Sequence, residues 1–385
     1  MPFNLETPLT WQELREHCPV VKRWGFFDHA AVAPLTTAAQ QAFAAYAADL
    51  VENGDVYESR WVAHVEEVRG LFGRLLNCDP DDLAFVHNTS EGIGYVAEGF
   101  PWRAGDNVII AAEEYPANVY PWMNLQRRGV EVRMVATRDR RIWIEDLRAL
   151  MDARTRLVSL SFVEFASGFR NDLHAVGELC RERGAYFCVD AIQGLGVLPV
   201  DVRDTPIDFL AADGHKWLLG PEGAGIFYVR RDLLDLLHPV AVGWHSVVGA
   251  TQFSTIDFRL KPHAGRYENG SLNVAGISAV GASLALLLRI GISAVRDRLI
   301  TLTDYLCERF RSCGWEVYSS RRTEDKSGIV SVIAGNRDLR ALVRYCRENG
   351  VVVKPRSGRL RVSPHIYNTG EEIDRLLDIL TSFKQ

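Results

Sequence analysis

The chain has six lysines in 385 residues, and Lys216 has an unusual neighbourhood. It lies in DFLAADGHKWLLGPEGAGIFYVR (208–230), just past an apolar strand-like run and before Trp217, Leu218 and Leu219. Loss of water disfavours the ammonium form, so a desolvated lysine can carry a free amine near neutral pH. A free amine adds to a carbonyl and forms a Schiff base. Taken alone, the position suits equally a lysine whose stem is buried and whose head reaches water.

Two further segments end apolar runs with polar groups. In AYFCVDAIQGLG (185–196), Asp190 closes the run and Gln193 follows three residues later. An acid there can hold a cationic heteroaromatic nitrogen, or it can simply cap a helix. In AFVHNTSEGIGYVAEG (84–99), the run leads into Asn88, Thr89 and Ser90 at a helix start. Hydroxyls and free N–H groups at such a start suit a phosphate, and they also suit ordinary capping. No G-x-G-x-x-G or G-x-x-x-x-G-K-[ST] occurs, which removes support for dinucleotide and P-loop nucleotide sites.

These groups need a scaffold. β-branched and apolar runs at 83–87, 107–112, 130–136, 155–163, 185–190, 207–213 and 224–230 predict strands. Helical patterns at 90–98, 118–126 and 172–183 lie between them, after helices at 34–51 and 60–76. Such alternation predicts an α/β fold with a mostly parallel sheet covered on both faces. In such sheets ligands gather at the carboxyl ends of strands, where Asp190 and Lys216 fall. Beyond about residue 270 the pattern changes to long helices, strands near 315–318, 328–334, 351–354 and 359–363, and a closing helix from Glu371. That predicts a smaller α+β domain.

Together these segments resemble the class V aminotransferase family of fold type I pyridoxal-phosphate (PLP) enzymes, which includes cysteine desulfurases, selenocysteine lyases, kynureninases and isopenicillin-N-epimerase-like proteins. The resemblance rests on FFDHAAVAP, NTSEGI, EEYPANVYPW, VDAIQGLG, DGHKWLLGPEG, RYENGSLN and RLRVSPHIYNTGEEIDRL, in the family's order. It implies the PLP-dependent transferase fold type I. The large PLP-binding domain would span 21–272, and residues 1–20 with 273–385 would form the small domain. Lys216 matches the Schiff-base lysine and Asp190 the acid paired with the pyridinium nitrogen. Gln193 and Glu164 match neighbours of the ring oxygen. Thr89, Ser90 and His215 match phosphate or ring neighbours, and Tyr115 stands where many relatives stack a histidine on the ring. Arg361 matches the arginine that grips the substrate carboxylate. Arg359 projects to the same strand face and is a second candidate. Ser271 matches a residue that reaches the phosphate of a neighbouring subunit, so a homodimer with shared active sites is implied.

The implied activity is conversion of a small α-amino acid, through an external aldimine and a quinonoid, by an aminotransferase or lyase. A kynureninase-like hydrolase with Trp244, Phe253 and Phe258 around an aromatic pocket is an alternative, as is an amino-acid epimerase. A non-catalytic PLP-fold binding protein is the alternative of another class. Two departures bear on the choice. Asp213 stands where relatives often have a phosphate-binding serine, and an acid there requires an offset such as His215. No cysteine occurs in 351–360 before Arg361, and Cys346 falls in a helical pattern. On that ground a persulfide-type cysteine desulfurase is disfavoured.

Composition narrows the remaining classes. With 47% hydrophobic and 24% charged residues, the chain is neither disordered nor collagen-like. A net charge of −5 argues against a nucleic-acid partner. Seven scattered cysteines without a C-x-x-C pair predict reduced thiols, with neither a disulfide framework nor a metal site. The longest apolar stretch, 274–288, is shorter than the roughly 20 residues of a membrane span. No secretory signal is visible at the N-terminus. A cytoplasmic protein without membrane contact is the expectation.

Overall fold

Strand runs buried on both faces must pair edge to edge and be covered twice. In the computed structural model, which describes residues 3–384, seven predicted strands pair in one sheet, six of them largely buried and the edge strand Glu131–Val135 exposed or half-buried except at Val135. They are β1 (Leu83–Val86), β2 (Asn107–Ala111), β3 (Glu131–Val135), β4 (Thr155–Ser161), β5 (Tyr186–Asp190), β6 (Phe209–Asp213) and β7 (Gly225–Val229). Their order is β1-β7-β6-β5-β4-β2-β3. All neighbours from β6 to β3 pair in parallel, while β7 runs antiparallel to both β6 and β1. The sheet is therefore mixed, with a mostly parallel centre.

The period-2 alternation of strand side chains divides the core in two. Ile109, Val158, Leu160, Phe187 and Val189 pack into the core on one face. Val108, Ile110, Leu157 and Cys188 pack into the core on the other. Helices α1 (Thr37–Asn53), α2 (Glu58–Leu76), α3 (Thr89–Gly99), α4 (Leu173–Arg183) and α5 (Val274–Ile290) flank the sheet or its neighbours. The helix expected over 118–126 is broken into Pro116–Asn118, Tyr120–Met123 and Asn124–Arg128. Pro116 and Pro121 have no N–H to continue a helical ladder. Asn118 is buried and takes the indole N–H of Trp122 at 2.9 Å.

A second, antiparallel sheet is built from β8 (Glu316–Val317), β9 (Val330–Ile333), β10 (Lys354–Arg356) and β11 (Arg359–Val362), in the order β10-β11-β9-β8. It shares a third hydrophobic cluster with α6 (Ile292–Ser312), α7 (Leu339–Glu348) and α8 (Gly370–Ser382). The N-terminal arm lies against the C-terminal region. Arg15 bonds Glu372 at 2.8 Å and the carbonyl of Tyr367 at 2.7 Å. Thr10 caps the helix Trp11–Glu16 in a reciprocal box with Glu13. Among the described residues no single helix is long and apolar enough to cross a membrane.

FFDHAAVAP joins the two sheets. Gly25 and Phe26 pair with Val351 and Val352, Asp28 bridges to Ser363, and Ala33 N–H donates to the carbonyl of His215 at 2.8 Å. Helix α3 comes close enough to β6 that a Cβ on Gly92 would lie 2.7 Å from the Ala211 methyl. Overpacking of this kind costs about 1–3 kcal/mol. Gly92→Ala is expected to lower the thermal midpoint and to loosen whatever binds at the start of α3. Differential scanning calorimetry and a cofactor titration of the same variant check both effects.

Candidate active site

The carboxyl ends of β5 and β6, the start of α3 and the edge of the second sheet surround one cleft of about 510 Å³. Eight of the residues singled out by sequence line it: Thr89, Ser90, Tyr115, Asp190, Gln193, His215, Lys216 and Arg361. Glu164, Ser271 and Arg359 do not.

Lys216 sits on a tight loop between β6 and β7. Gly220 N–H returns to the carbonyl of Gly214 at 3.0 Å, closing the loop beneath the lysine, and Leu219 adopts φ +56°. A Cβ on either Gly214 or Gly220 would lie 2.7 Å from Val280 of α5. The two glycines therefore let the loop rest on that helix and aim the lysine into the cleft. Lys216 is 7% exposed, and its Nζ has no hydrogen-bond partner among the described residues. It lies 5.5 Å from the Tyr115 ring centroid. Burial lowers its pKa to about 8, against the attraction of Asp190, and Arg361 lowers it further.

Asp190 is buried, and one of its oxygens accepts the N–H of Ile192 at 3.1 Å. Burial raises its pKa to about 6, while Ile192 N–H and Lys216 pull it down. Such a carboxylate gains from a cationic partner in the cleft. Gln193 lines the cleft, but its amide is largely engaged: it donates to Ala30 O and accepts from the Trp217 indole, both at 3.0 Å.

The start of α3 is built for an anion. Asn88 caps it by accepting from Glu91 N–H at 2.9 Å, and the N–H groups of Thr89 and Ser90 have no acceptor within the helix. Asp213, the expected misfit beside a phosphate, is turned to local donors. It takes Gly214 N–H at 2.6 Å and His215 Nδ1 at 2.8 Å, which leaves His215 Nε2 for the cleft. The site thus holds an amine for an aldehyde, an acid for a ring nitrogen, and N–H and O–H donors for a phosphate. The donor set fits pyridoxal 5′-phosphate.

Arg361 is 1% exposed in its side chain and is fixed by Asp28 Oδ1 at 3.1 Å and Phe165 O at 3.0 Å. Its Nε is buried without a partner. Burial lowers its pKa, and Asp28 opposes that shift. A guanidinium oriented on one side and unsatisfied on the other is suited to a carboxylate.

Three residues singled out by sequence lie outside this cleft, Ser271 among them as expected of a group that reaches a neighbouring subunit. Arg359 begins β11 and stacks on Tyr318, with its guanidinium carbon 3.8 Å from the ring centroid, so strand alternation alone does not bring it into the cleft. Glu164 does not line the cleft; it accepts from Asn171 Nδ2 at 2.9 Å, and its second oxygen is buried and unpartnered. Ser271 is exposed beside Glu268, Asn269 and Gly270 in an adjoining pocket. The aromatics proposed for a kynureninase-like pocket, Trp244, Phe253 and Phe258, are exposed around a separate surface hollow. Sequence reasoning missed Arg356, Asp28, Phe165 and Glu222. Asp28 stood inside FFDHAAVAP and Arg356 three residues before the strand of Arg361, but nothing local marked Asp28 as the anchor of Arg361 or Arg356 as a cleft residue.

The family model for class-V aminotransferases matches residues 26–376. This chain belongs to the class V aminotransferase family. Its cofactor is pyridoxal 5′-phosphate, and its fold is the fold type I of such enzymes. A probable cysteine desulfurase of Methanothermobacter thermautotrophicus is 30% identical over 96% of this chain and 97% of its own. A cysteine desulfurase of Salmonella agona is 33% identical over 82% of each chain. Among solved structures, the cystine C–S lyase C-DES in complex with its product cysteine persulfide superposes with a TM-score of 0.89 at 23% identity, covering 96% of this chain and all of that one.

These relatives, named as cysteine desulfurases, correct the reading that disfavoured a persulfide-type desulfurase. That reading rested on a cysteine-free stretch before Arg361 and on Cys346 falling in a helical pattern. Such a stretch identifies a sulfur acceptor and says nothing about the groups that act at the substrate carbons. In the C-DES complex the persulfide is carried by a small molecule.

Two measurements test the geometry. Gly220→Ala should push the lysine loop off Val280 and cost about 1–3 kcal/mol. Adding Val280→Gly, which removes both the Cγ2 and the Cβ that would lie 2.7 and 2.8 Å from the new methyl, should recover cofactor binding beyond the sum of the single effects, as a double-mutant cycle would register. Burial also raises the Glu164 carboxyl to about 8. A carboxyl held protonated in the fold and ionised in the unfolded chain loses stability as pH rises from about 4.5 to 8. Glu164→Gln should therefore stabilise the apoprotein more at pH 8 than at pH 5 in urea unfolding.

Proposed function

We propose that this enzyme is a lyase of the cysteine desulfurase type, removing sulfur from a small sulfur-bearing α-amino acid. The observation that carries the reading is the convergence of the Lys216 amine, the Asp190 carboxylate and the Asp28-anchored Arg361 in one cleft. The two relatives at 30% and 33% identity, both named as desulfurases, support the choice of sulfur chemistry.

The bound cofactor supplies an aldehyde for amines and a ring that draws electrons from the substrate Cα. The chain's residues do the rest. Lys216 Nζ would hold the cofactor aldehyde, and with a pKa of about 8 the free amine can accept a proton at the substrate Cα and return one. Asp190 would pair with the ring nitrogen, and the start of α3 with His215 would hold the phosphate. Arg361 grips the substrate carboxylate and so sets which bond at Cα faces Lys216. Tyr115 stands beside the lysine and covers one face of the site.

The reading extends to a homodimer. Exposed Val240, Trp244, Phe253, Ile256 and Phe258 support a subunit contact, and so does Ser271, which sits outside its own cleft. Sedimentation of the holoenzyme measures this directly, and a monomer at micromolar concentration would remove it.

Two experiments test the activity. Borohydride reduction of the holoenzyme should fix cofactor to the chain, and Lys216→Ala should abolish that labelling. Turnover of L-cysteine with a thiol acceptor should yield alanine and persulfide sulfur. Pyruvate and ammonia would mark an eliminating lyase instead, and activity only with an added keto acid would mark an aminotransferase.

A further inference from the structure

The cleft holds a cation for which the reading so far has no use. Arg356 ends β10, pairs in register with Arg359 across the turn to β11, and lines the cleft beside Arg361. It is half-buried, and its Nε is buried without a hydrogen-bond partner. No carboxylate lies within 4 Å of its guanidinium among the described residues. Three acids at or beside the cleft have other partners: Asp28 is on Arg361, Asp213 on His215, and Asp190 faces Lys216; Glu222 also lines the cleft but makes no ion pair with Arg356. Arg356 also disfavours charge on both Arg361 and Lys216, so three cations crowd one mouth. One substrate carboxylate offsets Arg361 alone.

We propose that Arg356 is a specificity residue that binds a second anionic group, so that among S-substituted α-amino acids the site prefers those with a carboxylate beyond the sulfur. These carry no free thiol, so their Cβ–S bond would break by β-elimination, releasing the thiol and, with water, pyruvate and ammonia, apart from the persulfide route proposed for L-cysteine. Arg361 takes the α-carboxylate, which leaves the side chain to run along the cleft toward β10. The planar fork of a guanidinium matches a carboxylate through two N–H groups. A buried, unmade donor is costly to leave and is satisfied by such a partner. The inference rests on the amino-acid reading of the site and narrows it.

The test uses holoenzyme and a matched pair of probes, S-carboxymethyl-L-cysteine and S-methyl-L-cysteine, with binding read from the visible spectrum of the cofactor. The wild type should bind the carboxymethyl compound more tightly. Arg356→Gln should weaken that compound by tenfold or more and leave the methyl compound within about twofold, since a hydrogen bond to a charged group contributes about 1.5–3 kcal/mol. Arg356→Lys should fall between, because it retains charge without the fork. Equal weakening of both probes, or of neither, overturns the assignment. So does a loss of cofactor affinity in Arg356→Gln with both probes unaffected, which would place the guanidinium on the phosphate. A wild type whose spectrum responds to neither probe, nor to L-alanine or L-cysteine, overturns the amino-acid reading itself and this inference with it.

Discussion

The site depends on keeping one amine out of water. An ammonium at the position of Lys216 would lose hydration that protein dipoles only partly replace, and the resulting pKa of about 8 leaves a useful fraction of free base near neutrality. The opposing term is the carboxylate of Asp190, itself buried and raised to about 6. Each group makes the charged form of the other less unfavourable. Neither is neutralised by direct contact, because no ion pair joins them and the cleft opens between their strand ends. A heterocycle carrying a positive nitrogen and an aldehyde suits that separation.

Holding this arrangement requires the chain to pass the same place several times. The lysine loop is pinned by Gly214 and Gly220 against Val280, by Ser283 Oγ on the carbonyl of Leu219 at 2.9 Å, and by the Trp217 indole on Gln193. The same Gln193 holds Ala30, and Ala33 holds His215. On the other side His29 contacts both Ser363 and Tyr367, and His365 accepts or donates at the carbonyl of Trp217. Burial lowers the pKa of both histidines, so they sit as neutral hydrogen-bonding groups between the two sheets. The loop of Lys216 and the strand of Arg361 are thereby tied through one buried polar cluster.

How far the sequence disclosed this depends on the range of the interaction. Strand positions followed from apolar runs, because burial on both faces leaves an unbroken pattern within a few residues. Lys216, Asp190 and the start of α3 were legible because each terminates such a run. The fates of Arg359 and Arg361 were not separable by alternation, since both project from one face of β11. What separates them is a ring on β8–β9 side structure, Tyr318, and an acid 333 residues away, Asp28. The break at Pro121 was written in the sequence, yet the apolar pattern of 118–126 outweighed it. Glu164 was placed near the ring by resemblance; it does not line the cleft, and Asn171, seven residues on, engages one of its oxygens.

The missing cysteine shows the same separation of range at the level of chemistry. The seven thiols are all buried or partly buried, and none lines the cleft. Burial pushes the thiol of Cys346 up to about 11, away from the thiolate form that reacts. Weakening a bond at Cα or Cβ, however, requires electron withdrawal and a base at the substrate, which Asp190 and Lys216 are placed to support. Taking up the released sulfur is a distinct event at a different atom. The two functions occupy separate parts of the chain, so a change in one leaves the constellation for the other intact. That is how a cleft of this composition occurs in a chain similar to cysteine desulfurases while five of its seven thiols are buried.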